Sequence, residues 1–443
     1  MNSVRALRFA EILPLLLLSG STALAAAGPQ GQDWPQWRGA QRDGVWRESG
    51  IITKFDGPEI KIKWRVPVSN GYSGPTVANG RVYLTDRVTE PASKERVLCF
   101  DWETGRKLWS CEYDCDYHGV SVPDGPRASV TVNDGRAYSL GATGTLHCFD
   151  AADGKVLWKH DLNAEYKIRM PDWGIASAPL VEGNNVIVMI SGEPSACLAA
   201  FDRETGKEAW RALPDRATYS SPIVIDQAGK RVLVAWTADR IVGLAPESGQ
   251  LYWEYPWKSA GPNIDPCVTP AWHKNELFFT SVYGGALMLG LKQDKMGVGK
   301  VWEKKSNSRL TESLHTMFAT PIVTDANIFG INYFGELRCL DAKTGANVWE
   351  DKTVVPKGMW ASAHLIPNGD TTWILNEKGQ LIIAKLSPAG YTEIGRSQLI
   401  KPTTGQLNQR GGAVWSHPAF AYGHIFERND EELICADLRE KKG

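Results

Sequence analysis

One eleven-residue phrase recurs along the chain and limits what it can fold into. It reads "CFDWETGRKLW" (99–109), "CFDAADGKVLW" (148–158), "AFDRETGKEAW" (200–210) and "CLDAKTGANVW" (339–349), each a small-x-Asp-x3-Gly-x3-Trp pattern. A weaker copy, "GLAPESGQLYW" (243–253), has Ala245 in place of Asp, and another ends at Trp302 after a longer turn. Trp64 holds the same position early in the chain, so the ladder runs 64, 109, 158, 210, 253, 302, 349. Its steps of 43 to 52 residues match one four-stranded propeller blade with its turns. Thr-Gly or Asp-Gly supplies the positive φ that the hairpin needs, and the Asp accepts backbone N–H groups of that turn.

The remaining strands stand between the Trp positions. Short inner-strand signatures begin at 73 ("SGPTV"), 177 ("SAPLV"), 220 ("SSPIV"), 268 ("VTPAW"), 319 ("ATPIV") and 416 ("SHPAF"). Degenerate forms at 128 ("ASVTV") and 362 ("SAHLI") bring the count to eight. An apolar, β-branched or aromatic strand follows each, such as "RVLVAW" (231–236). No helical periodicity is evident. The last repeat stops one strand short at "ELICADL" (432–438), while "EIKIKWRV" (59–66) precedes the first inner strand and carries Trp64. The expected fold is therefore all-β: an eight-bladed β-propeller of four-stranded antiparallel blades, its ring closed by the N-terminal strand at about 59–66 in the last blade.

The N-terminus reads differently. Arg5 and Arg8 precede an apolar run from Ile12 to Leu18 and the small residues "STALAAAG", the pattern of a secretory leader over 1–27. No Cys stands near the cleavage site, so no lipid anchor is expected, and the mature chain is expected to be periplasmic or secreted and monomeric, without a transmembrane anchor. Residues 28–58 form a lead-in in which Trp34, Trp37 and Trp46 are expected to pack on the ring, and 59–443 form the propeller. Forty-nine basic against 50 acidic residues exclude a global pull toward nucleic acid.

These motifs resemble the tryptophan-docking repeat of the PQQ-like, quinoprotein-type β-propeller family over roughly 60–438. The resemblance implies blade-docking roles for Asp101, Gly105 and Trp109, for Asp150, Gly154 and Trp158, for Asp202, Gly206 and Trp210, and for Asp341, Gly345 and Trp349. Segment "DWPQWRGAQRDGVW" (33–46) is similar to the lead-in of exported members. No WD dipeptide follows the repeat Trp, which separates the chain from WD40 propellers.

The family's enzymes hold pyrroloquinoline quinone (PQQ) between a Trp and a disulfide of adjacent cysteines, with Ca²⁺ beside a catalytic Asp. This sequence has no adjacent Cys pair and no C-x-x-C-H haem site. In ring size and export it resembles the propeller of the outer-membrane β-barrel assembly machinery, which implies a non-catalytic scaffold binding a protein, peptide or small ligand, with no cofactor. The alternative is a PQQ- and Ca²⁺-dependent dehydrogenase acting on an alcohol or sugar.

Either reading places the site in the axial funnel, under loops running from each Trp to the next inner strand. Those loops offer Arg127, Trp173, Arg216, Tyr219, His315, Trp360, Arg410 and Trp415 as ligand contacts. Asp172, next to Trp173, is the first candidate acid, and Asp265 in "NIDPC" the second. No G-x-S-x-G, H-E-x-x-H, Walker or calcium-loop pattern occurs, and no metal site is expected. Cys99, Cys148, Cys339 and Cys435 share a slot with Ala200, Gly243, Gly290 and Ala384, so they are expected to be small buried residues. Cys111 and Cys115 are expected in a polar loop, where a local disulfide is an open alternative, as is a weak metal site with His118. Cys197 and Cys267 have no assignable role.

Overall fold

A computed structural model describes residues 30–122, 124–258, 266–306, 308 and 311–440. The expected leader (1–27) and Asp265 lie outside the described residues. Eight four-stranded sheets follow one another along the chain as blades 1 to 8, at 76–114, 131–161, 180–212, 223–256, 271–305, 322–351, 363–398 and 419–437. Each inner strand starts at one of the eight signatures. The last blade has three strands of its own and takes its fourth from Ile62–Pro67, antiparallel to Glu432–Asp437 with Trp64 opposite Cys435. The ring closes as the sequence requires. Among the described residues one helix occurs, Leu162–Tyr166, whose N-cap Asp161 accepts from the Ala164 N–H. Five residues are too few to show a 3.6-residue period.

The repeated phrase is a docking device between neighbouring blades. In blade 1 the Asp101 carboxylate accepts from the Thr104 N–H at 2.9 Å and the Thr104 hydroxyl at 2.7 Å, which fixes the turn. Asp202 and Asp341 repeat this with Thr205 and Thr344. The Gly that follows has positive φ, +72° at Gly105 and +67° at Gly345. Its missing side chain makes room for the previous blade's Trp: a Cβ at Gly154 would lie 2.5 Å from the Trp109 ring. The indole N–H then donates to the carbonyl just after the turn Asp, Trp109 to Ala151 at 3.2 Å and Trp302 to Ala342 at 2.7 Å. Each buried Trp removes about 150–250 Å² from water, worth roughly 4–6 kcal/mol gross.

A bulge at the residue just before the Trp position sets the register of each outer strand, and it corrects two slot assignments. Cys99, Cys148, Ala200, Gly243, Cys339 and Cys435 do stand opposite a docking Trp. In blade 5 the longer turn shifts the register, so Met288, not Gly290, faces Trp302. In blade 7 the slot is Ile383, not Ala384, and its partner is Gly395. No Trp docks there. Phe55 of the lead-in lies 3.5 Å from where a Cβ of residue 395 would stand, and its ring meets Trp373 edge-on at 6.0 Å.

Cys99, Cys148, Cys339 and Cys435 are buried, and burial pushes the Cys99 thiol up to about 12. Cys197 is a buried core residue of blade 3. No described cysteine forms a disulfide. The polar-loop expectation is corrected for Cys111, because strand Lys107–Asp114 continues through it, whereas Cys115 stands in the loop just past the strand's end. Four extended residues separate their Cα atoms by about 13 Å, beyond the roughly 7 Å a disulfide spans. Among the described residues no His, Cys, Asp and Glu group is arranged to hold a metal, His118 included. No described helix is long and apolar enough to cross a membrane.

The lead-in does more than pack on the ring. Trp34 exchanges both backbone hydrogen bonds with Val77 of blade 1 at 2.8 Å, and the Pro35 carbonyl accepts from Val132 of blade 2 at 2.8 Å. Arg42 donates to the carbonyls of Pro179 (2.9 Å) and Ala178 (3.2 Å) ahead of blade 3. Trp37 donates to the Thr269 hydroxyl ahead of blade 5 at 2.8 Å, and Trp46 to the Pro367 carbonyl of blade 7 at 2.9 Å. A segment that touches inner strands all round the ring lies across its axis. Residues 34–46 are a strap closing the central channel.

Candidate functional site

Above the strap lies a funnel of about 610 Å³. Its floor is Trp37 of the strap with His364 and His417, the latter two belonging to the degenerate and final inner-strand signatures. The imidazoles lie 4.7 Å apart, and the Trp37 and His417 rings 5.0 Å apart. His417 Nδ1–H donates to the Pro418 carbonyl and His364 Nε2–H to the Trp415 carbonyl, which fixes both tautomers. Burial, with the Arg38 guanidinium nearby, lowers His364 to about 4, and burial, His364 and Arg38 together hold His417 well below its usual value. Both rings are neutral at pH 7.

Aromatic residues stand on several sides of the wall. Trp173 stacks on Tyr219 at 4.8 Å and 28°, Phe318 meets Trp415 at 4.8 Å, and Trp360 stands between blades 6 and 7. Asp124 and Arg127 are the charged residues on the wall, one of each sign. Tyr72 donates to Asp124 at 2.8 Å, and the Arg127 guanidinium lies 4.9 Å from the Tyr72 ring centre while donating to the Val122 and Gly125 carbonyls.

The last part of the wall is the loop 404–409 between blades 7 and 8. Asp430 holds it, accepting from Gly405 N–H at 3.0 Å and Gln406 N–H at 3.2 Å. The Gln406 amide bridges to the Gly71 carbonyl and Ser416 hydroxyl. Arg410 pairs with the buried Glu377 at 2.8 Å, and Lys378 donates to the Arg410 and Gly412 carbonyls. This loop is a fixed wall rather than a free tip.

Of the residues read from the sequence as ligand contacts, Arg127, Trp173, Tyr219, Trp360 and Trp415 stand together on this wall. Asp172 is exposed and off the wall, its carbonyl accepting from Ser121 N–H, and Arg216 is likewise exposed. His315 is fully buried between blades 5 and 6, bonded to the Val282 carbonyl at 2.9 Å and the Thr311 hydroxyl. Arg410 sits behind the wall. Sequence reading missed Trp37, Tyr72, His364, His417, Cys267 and the loop. His417 was traceable, since it follows the Ser of "SHPAF" at the position held by Ser221 and Thr269, which also face the axis.

The funnel's donor set does not fit a quinone with calcium. A hard cation needs about six to eight oxygen ligands, whereas the described wall offers one carboxylate, already bonded to Tyr72. Cys267 is the sole cysteine among the described residues of the wall, whereas a clamp of adjacent cysteines takes two. What the wall offers is stacking surface and hydrogen bonds.

An eight-bladed propeller with a strap-closed axial funnel defines the class. Residues 45–123 and 93–351 match the PQQ_2 family, described as "Outer membrane protein assembly factor BamB", and the chain belongs to that family. It is 28% identical over 226 residues to the quinohemoprotein alcohol dehydrogenase ADH-IIG of Pseudomonas putida, covering 46% of this chain and 30% of that protein. With the outer membrane protein assembly factor BamB of Shewanella oneidensis it shares 23% identity over 244 residues, 53% of this chain and 60% of that one. The chain thus spans less than two thirds of either relative. The crystal structure of BamB from Moraxella catarrhalis superimposes with a TM-score of 0.58 at 15% identity, covering 87% of this chain and 99% of that one, a likeness of fold.

Proposed function

We propose that the protein is an exported, non-catalytic propeller scaffold that holds a partner or ligand in its axial funnel. One observation carries this reading. The funnel's described wall combines aromatic faces and hydrogen-bonding groups with two neutral imidazoles and a carboxylate already engaged by Tyr72, and offers no acid–base pair or cation cage. Membership in the assembly-factor family supports it further. The strap supports it too, since a blind-ended funnel with a fixed floor suits holding better than passage.

The test is site-specific photocrosslinking in cells of the source organism. A benzoylphenylalanine at Trp360, on the funnel wall, is expected to trap a partner or ligand that one at Val348, on the outer rim, does not. Equal capture from both positions would count against the funnel. The dehydrogenase alternative draws on the similarity to ADH-IIG and would require the funnel to take PQQ and Ca²⁺.

A further inference from the structure

We propose that the funnel binds a short, neutral oligosaccharide, with Trp173, Trp360 and Trp415 as its recognition residues. This rests on the scaffold reading and names its ligand class.

The indoles carry the inference. Each of the seven docking Trp residues has its indole N–H bonded, six to a neighbouring blade's carbonyl and Trp253 to the Gln227 amide oxygen. The Trp415 indole N–H is buried without a partner, as is that of Trp236 in blade 4, so of this residue it is the ring face that the funnel meets. Among the described residues, no hydrogen bond engages the indole N–H of Trp173 or Trp360 either. All three side chains are half-buried, so each shows the cavity part of its surface. A pyranose ring answers both features, because its C–H face packs on an indole and its hydroxyls accept from the unbonded, unburied N–H groups of Trp173 and Trp360. A purely apolar ligand would fill the same space and leave those donors unpaired.

Charge and shape narrow the class. Asp124 and Arg127 cancel, and both are already engaged by Tyr72 and by carbonyls, so nothing on the described wall demands an anion or a cation. The side chains of Asn408 and Gln409, exposed on the loop, form no hydrogen bond among the described residues and offer a donor and an acceptor each. A volume of about 610 Å³ lies within the usual range for small-ligand sites. An extended peptide binds by adding a strand to an open edge, and at the axis the strap already pairs with the inner strands at Val77 and Val132.

The test is calorimetric and fluorescence titration of the mature protein with maltotriose, cellotriose, mannotriose and triacetylchitotriose, against trigalacturonate and a Trp-containing tripeptide. At least one neutral trisaccharide is expected to bind, with trigalacturonate and the tripeptide weaker. Trp360→Phe keeps the ring face and removes the N–H, and is expected to weaken binding about tenfold, as is Trp415→Ala, which removes a stacking face. Trp272→Phe, exposed and outside the funnel, is expected to change nothing. Circular dichroism identifies any variant that has not folded. Absence of binding by every neutral trisaccharide overturns the proposal, as does preference for the charged sugar or the peptide, or indifference to Trp360→Phe. Tripeptide binding alone would leave the scaffold reading standing, whereas PQQ-dependent dye reduction would sink that reading itself.

Discussion

The indole N–H of Trp64 donates to the carbonyl of Trp102 at 2.9 Å, and its ring covers Gly105, where a Cβ would lie 2.8 Å from it. Trp64 sits on the strand that completes the last blade, and Trp102 in the turn of the first. This contact seals the ring at the seam where the chain's two ends meet.

Trp64→Ala is therefore expected to cost about 3–5 kcal/mol, the range for removing a buried large aromatic. Urea unfolding checks this. A loss below roughly 1 kcal/mol would mean that strand pairing alone closes the ring.

Turn glycines separate backbone strain from docking. Gly183 and Gly345 both have positive φ, +59° and +67°, but a Cβ at Gly183 meets nothing within 4 Å while one at Gly345 lies 2.6 Å from the Trp302 ring. Gly183→Ala is expected to cost about 1 kcal/mol from the left-handed backbone alone. Gly345→Ala is expected to cost roughly 1–3 kcal/mol more by displacing Trp302. Equal thermal shifts in the two variants would refute the docking role of the space above Gly345.

Arg42 ties the strap to blade 3 through the Pro179 and Ala178 carbonyls. Arg42→Met is expected to speed amide exchange at Val77 and Val132, whose N–H groups bond to Trp34 and Pro35 of the strap, by about tenfold or more. Exchange at Val234 within blade 4 is expected to stay unchanged. Unaltered protection at all three amides would show that the strap is held without Arg42.

Acid is expected to weaken the funnel floor. His364 has an ordinary value of 6.5 and is lowered to about 4 by burial, so between those pH values the unfolded chain takes up a proton that the native state refuses. The stability this group contributes is complete above pH 6.5 and is lost as pH falls toward 4, by up to about 1.4 kcal/mol per pH unit. His417 acts in the same direction. His364→Gln is expected to flatten the dependence of the urea midpoint on pH between 7 and 4.5. An unchanged slope would contradict a neutral, buried His364.

The ring was legible in the sequence because docking is a local, repeated device. Asp, Gly and Trp stand at fixed spacing within one hairpin, and the unpaired strand of the last repeat matches the spare strand at residue 64. Slots opposite Trp302 and Gly395 were misread because register depends on turn length and on a bulge, and neither leaves its own residue signature. Cys111 was misread because "KLWSCEYD" (107–114) is one long rim strand and not a loop, whereas Cys115 does lie past its end. About half of the funnel's predicted contacts stand on its wall, since a loop's place in the repeat fixes its end of the ring but not the direction of each side chain. The strap was out of reach. Its contacts join residues 34–46 to blades 1, 2, 3, 5 and 7, and no periodicity in the sequence encodes pairs that distant.

The most direct test of a non-catalytic funnel is titration of the purified protein with PQQ and Ca²⁺, read by calorimetry and followed by dye-linked alcohol and sugar oxidation. The account predicts no saturable heat and no substrate-dependent dye reduction. Stoichiometric PQQ binding with alcohol- or sugar-dependent dye reduction would contradict it and return the chain to the dehydrogenases.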